Sequence, residues 1–162
     1  MRGTTVREVG LPRQYWFGHP PFNAAKVGEN TWPTLPDEKP NSGFFTSSSR
    51  DWAEWVGDQP RGREDRVLMP LEPHPHARLY VINCCDDYWA LRDAYPQRSR
   101  PAHPRVCPNW GKLANERFFD GVHVTVMAVR AAKVARDTDW MHFGGAWEVE
   151  STLWFRWRPV AC

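Results

Sequence analysis

The sequence predicts a single α+β domain, in which short strands and helices follow one another without a regular repeat. With 162 residues, 41% hydrophobic and 25% charged, the chain has the size and composition of one globular domain with its own core. Its stretches of period-two alternation are short, and stretches with helical spacing separate them. Because they do not form repeating βα units, an α+β class is favoured over a doubly wound sheet. One domain is predicted to span residues 1–162.

The first half of the chain is predicted to form four short strands and one helix. An aromatic run opens the series, and residues 23–42, which contain three prolines, are predicted to be an irregular excursion. In the helix, Trp52, Trp55 and Val56 share one side at i, i+3, i+4 spacing. The strands are predicted at residues 14–17, 43–48, 66–71 and 77–83, and the helix at residues 50–56.

The second half is predicted to contain two helices and two strands. Asn109 is a suitable helix cap, and Gly144-Gly145 predicts a turn before the last strand. Alternation in the strand that begins at Asp120 continues weakly toward Val129. The helices are predicted at residues 85–94 and 109–117, a loop at 96–108, and the strands at 120–125 and 147–157.

The last predicted strand has two unlike faces. One face is almost wholly apolar and is expected to point into the core; it carries Trp147, Val149, Ser151, Leu153, Phe155 and Trp157. The opposite face carries Glu148, Glu150, Thr152, Trp154 and Arg156. The two glutamates are same-face neighbours about 7 Å apart along the strand. This pair of carboxylates is the first candidate for chemistry.

Charge and hydropathy argue against several functional classes. The net charge is +2 with scattered basic residues, so a dedicated nucleic-acid binder is disfavoured; the densest basic run is Arg98, Arg100 and Arg105. The chain contains no apolar run of the ~20 residues that a membrane helix needs, so no membrane contact is expected. Residues 1–10 lack the apolar segment of a secretory signal. Adjacent Cys84 and Cys85 fit neither a zinc knuckle nor a redox motif, which predicts reduced thiols in a cytoplasm.

Histidine and aspartate positions do not predict a metal site. His74 and His76 flank Pro75 without nearby ligands, so a polar turn is predicted there, and a zinc-dependent hydrolase is disfavoured for want of ligand spacing. The segment from Asp120 to His123 contains an acid and a base three positions apart. It is interpreted as a tight turn that enters a core strand rather than as an acid/base pair.

Three motifs in order carry a resemblance to a known family. They are Tyr15-Trp16-Phe17-Gly18-His19, Gly43-Phe44-Phe45-Thr46-Ser47-Ser48 and Glu148-Val149-Glu150. This order resembles the ADP-ribosyltransferase superfamily, which has an early strand with Arg or His, a middle Ser-Thr-Ser and a late Glu-x-Glu. The stretch from Lys39 to Ser47 also looks like a segment of small phage and bacterial proteins of this type. The middle motif departs from the pattern as Thr-Ser-Ser, and Arg13 and His19 both remain candidates for the early residue, so the Arg-type or His-type subclass stays open.

The resemblance implies an ADP-ribosyltransferase-like fold, with two small, mostly antiparallel sheets forming a cleft and helices flanking them. It implies NAD as co-substrate, release of nicotinamide and transfer of ADP-ribose to a macromolecular acceptor, protein or nucleic acid. Glu150 is the candidate catalytic carboxylate, because cleavage of the nicotinamide–ribose bond builds positive charge on the ribose. Glu148 stands where family members position the acceptor.

The same resemblance assigns candidate roles in binding NAD. Thr46 or Ser47 would orient Glu150 or the ribose, His19 would donate to the adenosine ribose or a phosphate, and Arg13 or Lys39 would neutralise the pyrophosphate. The candidates for stacking on nicotinamide are Tyr15, Trp16 and Phe45.

Two other functions stay open at this stage. A monomeric phage or bacterial effector that works in a host cytoplasm is expected, and water as acceptor would make it an NAD glycohydrolase. The alternative from another class is a catalytically inactive binding module of the same fold, which occupies a host protein or nucleic acid through exposed Trp residues and the Arg98–Arg105 loop.

Overall fold

The structure, a computed structural model, describes residues 7–8, 11–28, 40, 43–49, 52, 54, 66–98, 106–136 and 143–158. The strands are β1 (Arg7–Glu8), β2 (Gln14–Gly18), β3 (Phe44–Thr46), β4 (Val67–Leu71), β5 (Arg78–Ile82), β6 (Pro96–Arg98), β7 (Val106–Pro108), β8 (Gly121–Val124) and β9 (Ser151–Trp154). A 3₁₀ turn spans Ala24–Lys26, and the α-helices are α1 (Cys85–Ala94), α2 (Trp110–Glu116) and α3 (Val126–Lys133). Residues 143–146 form a further helical turn, and residues 52 and 54 are helical.

A five-stranded mixed sheet with the order β1-β5-β8-β9-β3 organises the fold. Strands β5 and β8 are parallel, and the chain between them crosses over through α1, β6, β7 and α2. The other three neighbouring pairs of this sheet are antiparallel. Two antiparallel ribbons, β2–β4 and β6–β7, stand beside it. The predicted α+β class is therefore confirmed, with one five-stranded sheet and two ribbons in place of two small sheets.

The two faces of the large sheet bury separate apolar cores. Tyr80 and Ile82 of β5 and Leu153 of β9 face the helices, where they pack with residues of α1, α2 and α3. Leu79 and Trp154, which alternate with them, face the other way and pack with aromatic residues of β2 and β3. The predicted alternation is thus confirmed for Leu153 and Trp154. Trp157, which was predicted on the face of Leu153, instead packs against Trp154 in the other core, because the chain has left the strand before it. The face that carries Thr152 and Trp154 is buried as well, because the β2–β4 ribbon covers it.

Local capping explains where the helices begin. Asn109 accepts from the Lys112 amide at 2.8 Å ahead of α2, as predicted. Asp87 accepts from the amides of Asn83 at 2.9 Å and Cys84 at 3.2 Å, which fixes the start of α1. Both helices therefore begin where the sequence indicates.

Thr125 marks a place where the sequence prediction was wrong. Its side chain accepts from the Ala128 amide at 3.3 Å and starts α3, whereas strand alternation was predicted to continue toward Val129. Ala128, Val129 and Ala132 are buried at helical spacing, so a short window of alternating residues belonged to an amphipathic helix.

Ribbon β6–β7 and the chain around β9 also differ from the sequence prediction. The ends of the predicted loop 96–108 pair as a ribbon. Gly144 lies in the helical turn 143–146, and a Cβ there would lie 2.7 Å from the Ala132 Cβ, so glycine allows close approach to α3. The last strand is confined to Ser151–Trp154, because the chain leaves the ladder on both sides.

No helix in the described parts of the chain combines the length and the apolar character needed to cross a bilayer.

Candidate active site around Glu150

Glu150 lies immediately before β9, where the chain passes the end of β3. Its side chain is 9% exposed, which is unusual for a carboxylate and calls for polar partners. Alternation along the strand places it on the same face as Thr152, toward the β2–β4 ribbon. Glu150 is therefore held in the layer between the large sheet and β2.

Two groups from the segment after β3 bind one carboxylate oxygen of Glu150. The Ser47 hydroxyl donates to Oε2, and the Ser48 amide donates to the same oxygen at 3.2 Å. The Ser49 amide in turn donates to the Ser47 hydroxyl oxygen at 3.1 Å. Ser47 is itself fixed against β2, since its amide and carbonyl pair with the backbone of Tyr15 at 3.1 and 2.7 Å. The carboxylate is thus oriented by groups that the backbone fixes.

The second oxygen of Glu150, Oε1, has a different environment. It is buried and makes no hydrogen bond with any described residue. The imidazole Nδ1 of His123 lies 3.6 Å from it, which is beyond a hydrogen bond but close enough for electrostatic interaction. Oε2 of Glu150 is therefore held by hydrogen bonds, and Oε1 has no hydrogen-bond partner among the described residues.

A buried chain of hydrogen bonds supports this arrangement from beneath. The fully buried amide of Gln14 accepts at Oε1 from the hydroxyls of Thr46 at 2.8 Å and Thr152 at 3.3 Å. Thr46 accepts from the indole of Trp154 at 2.7 Å. His123 Nδ1 lies 2.8 Å from the Thr152 hydroxyl, which has already given its proton to Gln14. The network therefore assigns the Nδ1–H tautomer to His123, which donates to Thr152.

The order of these groups differs from that of a nucleophilic triad. In a triad the imidazole lies between the hydroxyl and the carboxylate and removes the hydroxyl proton. Here the Glu150 carboxylate lies between Ser47 and His123. Ser47 is therefore placed to orient Glu150 and not to attack a substrate.

Burial lowers the pKa of the His123 imidazole below its ordinary value of 6.5, and the Glu150 carboxylate opposes this shift without overcoming it. His123 is consequently neutral at neutral pH. The unfolded chain binds this proton at a higher pH than the folded chain does, so acidification favours unfolding. The contribution of His123 to stability is complete above pH 6.5 and is lost as the pH falls from 6.5 toward the folded-state pKa.

We therefore expect the free energy of unfolding to fall below about pH 6.5, by at most about 1.4 kcal/mol per pH unit from this group. Urea unfolding between about pH 7.5 and about pH 5 measures the slope. His123→Asn keeps a polar partner for Thr152 but does not titrate, so its slope should be shallower than that of the wild type. Equal slopes for the two proteins would contradict the assignment.

An open cleft of about 450 Å³ lies at the other end of β2 and β3. Trp16, Phe22 and Phe44 supply its aromatic surface. Lys26 and Arg66 supply its cationic side, and His19 adds an imidazole. Its volume is typical of a small-molecule site. Glu150 does not line it: Phe44 precedes Ser47 by three residues, which corresponds to about 10 Å along the chain.

The structure brings some of the predicted site residues together and separates others. Ser47 contacts Glu150, Thr46 lies in the network beneath it, and His19 lines the cleft. Arg13 makes an exposed ion pair with Glu72 at 2.6 Å. Phe45 points to the helix side of β3, where it packs against Trp147.

Three further residues were predicted to belong to the site: Tyr15, Glu148 and Lys39. Tyr15 lies on the face of β2 opposite Gln14 and contributes its backbone to the bridge with Ser47. Glu148 is exposed, in the segment before β9. Lys39 lies outside the described residues.

Sequence reasoning missed Gln14 and misjudged His123. Gln14 was treated only as the first residue of an aromatic strand, yet its side chain links β2 to β3 and β9. His123 does enter a core strand, as predicted, but it also faces Glu150 across the β8–β9 pair through its register with Thr152. Period-two alternation in the sequence assigns the side chains of Gln14 and His123 to one face of their own strands. It does not show which strand lies next to each of them, so their partners could not be predicted.

Within the described ranges, no group of three or more His, Cys, Asp or Glu side chains is arranged to hold a metal ion. Comparison with known proteins adds no family: no family model, curated protein or solved structure matches this chain.

Proposed function

We propose that this chain is an ADP-ribosyltransferase that uses NAD, releases nicotinamide and transfers ADP-ribose to a macromolecular acceptor. The observation that carries the proposal is the hydrogen bonding of the Glu150 carboxylate. One of its oxygens is anchored by the Ser47 hydroxyl and the Ser48 amide, and the other is uncommitted. A carboxylate fixed in this way supports the reaction that the order of motifs suggests.

The chemistry requires a fixed negative charge beside a ribose. When the bond between C1′ and the nicotinamide nitrogen breaks, the bonding pair leaves with the ring as neutral nicotinamide, and the ribose becomes an oxocarbenium ion. Glu150 would stabilise that ion. Because Oε1 is buried, the layer between the large sheet and β2 would have to open on binding before this oxygen could accept from a ribose hydroxyl. A nucleophile on the acceptor then bonds to C1′ and loses its proton to solvent. Water in that role would give NAD hydrolysis.

The cleft supports a ligand with two separated parts. Its aromatic surface suits a flat base, and Lys26, His19 and Arg66 suit phosphate oxygens. A ligand that reaches from the cleft to Glu150 must be elongated, because about 10 Å of chain separates them. NAD, with two nucleotide halves joined by a pyrophosphate, has that form. We place such a monomeric enzyme in the cytoplasm, with a phage or bacterial effector as the kind of protein it resembles.

A second candidate function is favoured by a specific observation. Glu150 is nine-tenths buried and does not line the cleft. A binding module that keeps the fold without turnover would need no access to this carboxylate, and Gln14, Thr46 and Thr152 would then serve only to join the two sheets. The two candidates differ in whether NAD is consumed.

The test is release of nicotinamide from NAD by the purified full chain, alone and with cell lysate, single-stranded DNA or RNA added. We expect saturable release, accelerated by the additive that contains the acceptor. Lys26→Ala should raise KM with kcat nearly unchanged, because Lys26 binds the substrate away from the reacting bond. Lys112→Ala, an exposed lysine on α2, is the matched control and should leave both constants unaltered. A folded protein that releases no nicotinamide under any of these conditions would overturn the enzyme proposal.

A further inference from the structure

The loop that joins α2 to β8 is surrounded by arginine side chains. The guanidinium of Arg78 donates to the Arg117 carbonyl at 3.0 Å, and that of Arg156 donates to the Phe119 carbonyl. Arg158 donates to the Asp120 carboxylate at 3.1 Å. Arg117 itself stands in the loop, in a left-handed conformation with φ of 58°. Arg78, Arg117, Arg156 and Arg158 form what we call the arginine patch.

Positive charge in the arginine patch exceeds the negative charge available to it. Among the side chains that the structure describes, Asp120, almost fully buried, is the only carboxylate that forms an ion pair with a member of the patch. The register of β1 and β5 sets Glu8 opposite Arg78, so a second carboxylate is counted against the four guanidinium groups, which leaves a surplus of two positive charges. Burial lowers the pKa of Arg156; Asp120 raises it, and Arg158, Arg78 and Arg117 lower it further, so the cations repel one another. An external polyanion would relieve this repulsion.

An exposed aromatic ring stands within the same loop. Phe118 is 62% exposed, although its neighbour Phe119 is buried in the core. Backbone contacts to Arg78 and Arg156 on either side hold the loop that presents it. An exposed aromatic ring in a loop whose backbone is bound by guanidinium groups combines a surface on which a nucleic-acid base can stack with cations for the phosphates.

We propose that the arginine patch and Phe118 form a binding surface for single-stranded nucleic acid. Two uncompensated positive charges match a short run of phosphates, and Phe118 offers a face to one unpaired base. An acidic peptide would satisfy the charges but has no flat group for the ring. The ring has no access to a base that is stacked inside a duplex, so a single strand is favoured.

The surface is separate from Glu150. Arg156 and Arg158 follow the carboxyl end of β9, and Glu150 precedes its amino end, six residues or about 20 Å from Arg156 along an extended chain. The inference therefore does not depend on turnover of NAD.

The test is fluorescence anisotropy of a labelled oligothymidine of about 12 nucleotides with the full chain, between about 50 and about 200 mM salt. Two phosphate contacts predict that log K falls with log salt at a slope of about −1.4. Arg158→Ala should weaken binding and reduce the magnitude of the slope by about 0.7. Phe118→Ala should weaken binding about tenfold and leave the slope unaltered. Phe118 is 62% exposed, so Phe118→Ala should keep the wild-type Tm. Arg158→Ala removes a hydrogen-bond partner of the buried Asp120 and should lower the Tm, so its binding is measured at a temperature at which circular dichroism shows it folded.

Arg130→Ala is the matched control, because Arg130 is an exposed arginine on α3, beyond the opposite end of β8. It should bind as the wild type does. The proposal is overturned by no binding at low salt, or by a loss in Arg130→Ala equal to that in Arg158→Ala. Poly-glutamate or duplex DNA of similar length that binds as tightly as the single strand would also overturn it.

Discussion

Glu150→Gln is expected to lower the rate of nicotinamide release by about 10²- to 10³-fold, the usual loss when one preorganised electrostatic group is removed. Glutamine has nearly the same shape, and its carbonyl can still accept from the Ser47 hydroxyl and the Ser48 amide. Its amide nitrogen would take the position of Oε1, 3.6 Å from His123 Nδ1 and outside hydrogen-bond distance. The fold should persist, and only the charge that stabilises the oxocarbenium ion is lost. Single-turnover release of nicotinamide from NAD measures the effect.

Glu116→Gln provides the matched control, since it makes the same chemical change on the exposed surface of α2. Its rate should equal that of the wild type. Glu148→Gln tests whether Glu148 positions the acceptor. If it does, the transfer of ADP-ribose to the acceptor should fall more than the hydrolysis of NAD by water. A Glu150→Gln protein that turns over NAD at the wild-type rate would remove Glu150 from the mechanism.

The parts of the fold that were predicted well from the sequence depend on residues close together in the chain. Helix α1 was predicted with its observed bounds, since acidic residues at its start and Pro96 after its end act within a few residues of the helix. The alternation of Leu153 and Trp154 between two cores was also readable, because it needs only the pleat of one strand.

Pairing between distant strands was not readable in this way. Residue Ser47 meets Glu150 across 103 positions, and Thr152 meets Gln14 across 138. The first pair was anticipated only through the resemblance of ordered motifs. The second was not anticipated, since nothing local to a glutamine at the head of an aromatic run indicates two threonine partners. Register between strands comes from tertiary packing and not from the segment itself.

Charge pairing was equally hard to anticipate. Arg13 was a candidate for pyrophosphate binding, and the structure pairs it with Glu72 through the antiparallel registry of β2 and β4. Arg156 shared a predicted face with Glu150, yet it turns to Asp120 after the strand ends. In both cases the charged residues are visible in the sequence, but their ion-pair partners depend on the tertiary fold.

Trp147→Ala is expected to lower the free energy of unfolding by about 3–5 kcal/mol, the largest stability change of any substitution considered. Trp147 is fully buried beside the segment that carries Glu150, and its ring contacts Phe45, Phe143 and Trp110 at centroid distances near 6 Å. Alanine would leave a cavity where β3, α2 and the helical turn 143–146 meet. Because a domain of this size has about 5–15 kcal/mol in total, the loss is a large share of its stability. Urea unfolding followed by circular dichroism measures it.

Met127→Ala, on the exposed face of α3, is the matched control and should change stability by less than about 0.5 kcal/mol. The stability of Trp147→Phe should fall between those of Trp147→Ala and Met127→Ala, since a smaller ring refills part of the cavity.

The Trp147→Ala variant also tests whether the core on the helix side affects the site around Glu150. Trp147 packs on the helix side of the sheet and Glu150 faces the ribbon, so a loss confined to the core should leave the pH slope due to His123 unchanged. A Trp147→Ala protein as stable as Met127→Ala would show that this aromatic cluster does not hold the end of β3 against the helices.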